Sequence, residues 1–163
     1  MARLSLGRKH PRRVFTVERL QEDIATALHK CQALCCSAKF LGNFGNSAIR
    51  ALIESEFPDH GVLGEEHGSV GLDREYVWVI DPIDGTRAFI SGVPVWGTLI
   101  GLQKNGRATM GLIDQPFTGE RYFADGNGAT YSGPDGERRL QVRDCGSLSN
   151  AILFTTSPHL FVG

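Results

Sequence analysis

The chain has 163 residues, with 17 Lys and Arg against 18 Asp and Glu and a net charge of −1 at pH 7. That near-neutral balance argues against nucleic acid or a membrane surface as partner, and no stretch approaches the roughly 20 apolar residues of a membrane span. A chain of this length can form one ordinary domain that buries roughly 70% of its unfolded surface.

The first 13 residues, MARLSLGRKHPRR, are basic and free of acids. Residues 1–16 are expected to be a disordered start, with an organelle presequence as the alternative, and they lack the apolar core of a secretory signal. From Val17 to about Cys36 the composition is helical, and Leu20, Ile24, Ala27, Leu28, Cys31 and Leu34 trace one face. Cys31, Cys35, Cys36 and Cys145 form neither paired CxxC units nor a Cys/His zinc spacing, so they read as reduced thiols of a cytoplasmic protein. Ser47 to Phe57 repeats the helical pattern, with Ser47 as cap and Pro58 as stop. Val62 and Leu63 then make a short apolar step, and Gly64 delivers Glu65 and Glu66 into a loop. Neighbours on an extended chain point to opposite sides, so one of the two glutamates should face any site there. His60 and His67 flank this loop and read as solvated histidines rather than ligands.

Residues 77–89, VWVIDPIDGTRAF, carry the chemistry. Val77 to Ile80 reads as a buried strand, and Pro82 cannot donate to a ladder, so pairing should stop there. Asp81 and Asp84 then sit at the strand end with the Ile83 carbonyl between them. This oxygen-only set suits a hard divalent cation such as magnesium, which takes one or two carboxylates and completes its shell with water and substrate phosphate. Gly85 allows close backbone approach, and Thr86 stands where a helix can open with unpaired N–H groups towards a phosphate. With a glutamate from the upstream loop there are at least three acidic groups, enough for more than one cation, and paired cations can clamp both oxygens of a phosphoryl displacement.

Beyond this point strands dominate: Val95–Leu102, Ala108–Ile113, Arg121–Ala124, Ala129–Tyr131, Arg138–Val142 and Ile152–Thr156, separated by turns such as Lys104-Asn105-Gly106 and Pro134-Asp135-Gly136. Helices followed by a meandering, mostly antiparallel sheet make an α+β fold. Arg87 and Asp114 read as an exposed helical Arg and a strand-end Asp, Trp78 and Trp96 as core aromatics, and Cys145 as a buried small apolar side chain.

GEE followed by WVIDPIDGT, at the spacing present here, resembles the inositol monophosphatase family of magnesium-dependent phosphomonoesterases. The flanks RAFISGVPVWGTLIGL, GLIDQPFTGERYFA and TTSPHLF resemble its histidinol-phosphatase branch more than its inositol branch. The resemblance implies the first half of a layered αβαβα sugar-phosphatase fold. It implies Glu65, Asp81, Asp84 and the Ile83 carbonyl as Mg2+ ligands, Gly85 and Thr86 (with Asp84) at the substrate phosphate, and Glu65 and the Thr86 hydroxyl orienting the attacking water. The implied substrate is a small phosphorylated metabolite, histidinol phosphate in histidine biosynthesis, with inositol 1-phosphate or a nucleotide 3′-phosphate as alternatives.

The resemblance covers about Ala48 to Phe161, so residues 17–163 are expected to be an incomplete phosphatase domain lacking its C-terminal half. Residues 30–46 depart from the family pattern, with Gly42 where a supporting Asp is usual. Two consequences are expected: an exposed apolar sheet face that favours aggregation or a homodimer, and little or no turnover by this chain alone, which would then be a catalytically inactive fragment.

Overall fold

The computed structural model describes residues 38–65 and 68–154, with side chains from Ser47 onward. The expected helix over residues 17–36 and the segment after Phe154 lie outside the described residues.

Helix α1 spans Ala38–Glu56, nine residues earlier at its start than the sequence suggests, so Ser47 lies mid-helix rather than capping. Gly42 and Gly45 each cost only about 1 kcal/mol in a helix, and no proline lies between Ala38 and Phe57 to force a stop. Eight strands follow: β1 Gly61–Gly64, β2 Gly68–Val70, β3 Tyr76–Asp84, β4 Gly97–Lys104, β5 Arg107–Gln115, β6 Glu120–Ala124, β7 Ala129–Gly133 and β8 Gly136–Leu140. A short helix α2, Thr86–Ile90, lies between β3 and β4. The strands form one sheet in the order β2-β1-β3-β4-β5-β6-β7-β8. Every neighbouring pair is antiparallel except β1 and β3, which run parallel with Gly64 opposite Ile80. The α+β expectation holds.

Period-2 alternation explains the two faces of the sheet. Trp78 and Ile80 of β3, Ile100 and Leu102 of β4 and Leu112 of β5 are buried with Ile49 and Ile53 of α1, Phe57 just beyond it and Val62 of β1. The opposite face carries Val79, Leu99, Gly101, Gly111, Ile113 and Tyr122, which line an apolar groove of about 440 Å³. No described residue fills it. The β4–β5 turn closes on Asn105 and Gly106, both at positive φ (49° and 76°), the Asn-Gly signature of a tight hairpin whose twist matches its strands.

Several side chains depart from their sequence reading. His60 is half-buried, stacked between Phe57 and Tyr76 with ring centroids 5.0 and 4.8 Å away. Its Nδ1 accepts the Trp78 indole N–H at 3.0 Å, and burial, the largest influence on it, holds its pKa below 6.5. It is structural rather than solvated, because its aromatic partners lie up to 18 residues away and are invisible locally. Cys145 is exposed, in a segment that joins no strand. Residues 152–154 form no strand either, and Leu153 and Phe154 are each 89% exposed. Asp114 is buried inside β5, with its Oδ1 taking the Nε and Nη2 of Arg121 at 2.8 and 2.7 Å. Trp78 joins the core, while Trp96 is half-buried edge-on to Phe89 at 4.8 Å.

Candidate active site

The acidic loop is built by a bulge. Strand β3 does not stop at Pro82. Asp81 pairs with Leu99 and Asp84 with Gly97, so Pro82 and Ile83 together face the single residue Thr98. Two residues against one is the geometry that lets a strand pass an imino acid without losing its neighbour. The Pro82 carbonyl, left without a ladder partner, accepts the Thr98 hydroxyl at 2.7 Å.

Within the bulge the chain bonds to itself. The Ile83 N–H donates to Asp81 Oδ1 at 3.1 Å, and the Thr86 hydroxyl donates to the Ile83 carbonyl at 3.1 Å. Gly85 then takes φ 83° ahead of α2. A Cβ there would stand 2.9 Å from the Val95 carbonyl, so a side chain meets both a left-handed backbone and a wall. The close approach that this glycine permits is to the 95–96 segment. Ile83 is buried with Phe89 and Trp96 against it, which anchors the loop from below.

The parallel β1–β3 pair brings the second carboxylate. The Glu65 amide donates to the Ile80 carbonyl at 3.4 Å, so Glu65 leaves β1 beside Asp81. Burial, then the Glu65 charge, push the Asp81 carboxyl up to about 6 against a lowering bond from the Ile83 amide, and Asp84 adds a smaller push. Glu65, Asp84, Gly85, Thr86 and Arg87 are exposed. The Arg50 guanidinium holds the following turn through the Gly68 carbonyl at 3.0 Å. Glu66 and His67 lie outside the described residues.

Thus Glu65 and Asp81 are together and Asp84 is near, but among the described residues no three Asp, Glu, His or Cys side chains converge closely enough to hold a metal ion. The donors present nevertheless fit a hard cation. They are all oxygens, two like charges crowd each other, and the nearby imidazole of His60 is committed to Trp78. Sequence reading missed Thr98, whose hydroxyl in a buried strand is the signal that a local acceptor needs it.

The fold is α+β, with a carboxylate loop at a strand bulge that opens onto a short helix. The chain belongs to the inositol monophosphatase family, whose sequence profile matches residues 43–160. It is 45% identical over 117 residues to the chloroplastic bifunctional phosphatase IMPL2 of Arabidopsis thaliana, covering 70% of this chain and 33% of that protein. It is 36% identical over 113 residues to a histidinol-phosphatase of Mycobacterium tuberculosis, covering 68% of this chain and 44% of the relative. Among solved structures, an inositol monophosphatase from Zymomonas mobilis superposes with TM-score 0.71 at 33% identity, over 89% of this chain and 58% of that one. The chain thus spans between a third and a half of the length of these two sequence relatives.

Proposed function

We propose that the chain carries the cation and phosphate loop of a magnesium-dependent phosphomonoesterase acting on a small phosphorylated metabolite of the cytoplasm, with histidinol phosphate as first substrate. The observation that carries this reading is the Glu65–Asp81 carboxylate pair beside the Ile83–Thr86 bond. The substrate choice is supported by relatives named histidinol-phosphatase at 36% and 45% identity; inositol 1-phosphate is the alternative, since an inositol-1-monophosphatase of Rhizobium meliloti is 34% identical.

Glu65, Asp81, Asp84 and the Ile83 carbonyl would hold Mg2+, which when bound supplies positive charge against the phosphate oxygens. Glu65 accepts a proton from the attacking water. The Thr86 hydroxyl, already donating to Ile83, keeps lone pairs with which to orient that water. The Gly85 and Thr86 amides, at the opening of α2 where N–H groups lack intrahelical acceptors, bind the phosphate.

A second reading, a cation-binding but inactive chain, draws on the absence of a third convergent ligand among the described residues. The test is phosphate release from histidinol phosphate and inositol 1-phosphate with Mg2+, beside calorimetry with Mg2+ alone. Turnover above about 1 per second that Asp84→Asn abolishes supports the enzyme. Binding without turnover supports the second reading, and no Mg2+ binding sinks both.

A further inference from the structure

We infer that Thr98 is a positioning residue that keeps the Asp81–Asp84 bulge in shape when a cation and phosphate occupy it. The inference rests on the metal reading above. Three side-chain to backbone bonds define the bulge: Asp81 Oδ1 with the Ile83 N–H, Thr86 Oγ1 with the Ile83 carbonyl, and Thr98 Oγ1 with the Pro82 carbonyl. The first two use atoms that the proposed chemistry claims. The Asp81 carboxylate and Ile83 carbonyl would share their lone pairs with the cation, and the Thr86 hydroxyl would share its with water, so neither bond is independent of what occupies the loop.

The Thr98 bond alone involves no atom of the proposed site. Thr98 is fully buried at 0% exposure, and its bond is the shortest of the three at 2.7 Å. It springs from the second residue of β4, a strand held on both sides there: its neighbours Leu99 and Gly97 pair with Asp81 and Asp84 of β3, and Thr98 itself pairs with Asp114 of β5. Proline supplies no N–H to the ladder, so a β4 side chain takes over the cross-strand tie at this step. Loss of the hydroxyl leaves the Pro82 carbonyl buried beside an apolar methyl, and the bulge is then free to slip relative to Leu99 and Gly97.

The test compares wild type, Thr98→Val and Thr98→Ser in the full chain, with Thr98→Ala should the valine variant fail to fold. Amide hydrogen exchange at residues 83–86 is measured in EDTA and with Mn2+, and Mn2+ affinity is measured by calorimetry. Thr98→Val is expected to speed exchange at these amides and to weaken Mn2+ binding, each about tenfold, the effect of one hydrogen bond. Thr98→Ser is expected to restore both to within about twofold. Unchanged exchange in Thr98→Val, or serine behaving like valine, overturns the inference. Wild type that binds no Mn2+ defeats the metal reading instead, and the exchange in EDTA still decides the role of Thr98.

Discussion

Asp81 carries a carboxyl disfavoured in its charged form by burial and by the Glu65 charge beside it. Its carboxyl is raised to about 6 from an ordinary 3.8, so between these pH values the cation-free folded chain holds a proton that the unfolded chain has released. The stabilising contribution of that proton is complete below 3.8 and lost as pH rises through about 6. At pH 7 the ionised group is a liability, of about 1 kcal/mol once discounted for the water that reaches it. Asp81→Asn should therefore raise Tm by several degrees at pH 7 in EDTA and by nothing at pH 4, and should abolish stabilisation by Mg2+. Thermal melts at the two pH values check this, and equal melting of variant and wild type at pH 7 would refute it. Asp114 is the contrary case, a buried carboxylate satisfied by Arg121. Arg121→Ala strands that charge and is expected to cost about 2–3 kcal/mol in urea unfolding, more than the ~0–1 kcal/mol of a surface pair.

At the scale of elements, strand-forming runs bounded by turn signals located β4 to β8 to within two residues at each end, because the Gly, Asn and Pro residues that close the turns are local in sequence. The same reasoning failed where one residue has two faces of meaning. Pro82 lacks a donor, which argued for a strand end, yet its carbonyl is what the bulge uses. His60 looked like a loop residue because its stacking partner Tyr76 and bonding partner Trp78 lie 16 and 18 positions away. Strands β1 and β2 were too short, at four and three residues, to carry a period. For the candidate site, Asp81, Asp84, Gly85 and Thr86 are adjacent in sequence and so legible. The proximity of Glu65 to Asp81 depends on a parallel pairing that the sequence could not display. Two substitutions test the elements. Gly85→Ala should cost about 2 kcal/mol, because it places a Cβ at positive φ against the Val95 carbonyl. Ile53→Ala, at a position with 0% exposure between α1 and the sheet, should cost about 3 kcal/mol by leaving a cavity. Both are read from chemical denaturation, and a loss below about 0.5 kcal/mol in either case would contradict the packing described.

For the whole molecule, the two faces of the sheet are unequal. One is closed by α1; the other presents Val79, Leu99, Ile113 and Tyr122 around a groove floored by Gly101 and Gly111. Ile113 is 44% exposed, and Leu148, Leu153 and Phe154 are each at least 89% exposed along the following segment. Apolar surface of this kind favours association. The chain should sediment with a concentration-dependent mass, and Ile113→Lys should lower that mass while leaving Tm within about 2 °C. A variant that associates as wild type does would place the contact elsewhere.

The single parallel pairing has a consequence for how the molecule assembles. Strands β4 to β8 are joined in chain order by short turns, and such contacts close in microseconds. Joining β1 to β3 instead requires the chain to travel out through β2 and back before Gly64 meets Ile80, a slower closure between residues 16 positions apart. The meander can therefore form while Glu65 is still away from Asp81. The proximity of Glu65 to Asp81 thus stands or falls with the β1–β3 contact, which Val62, buried with Trp78 and Ile80, ties into the main core.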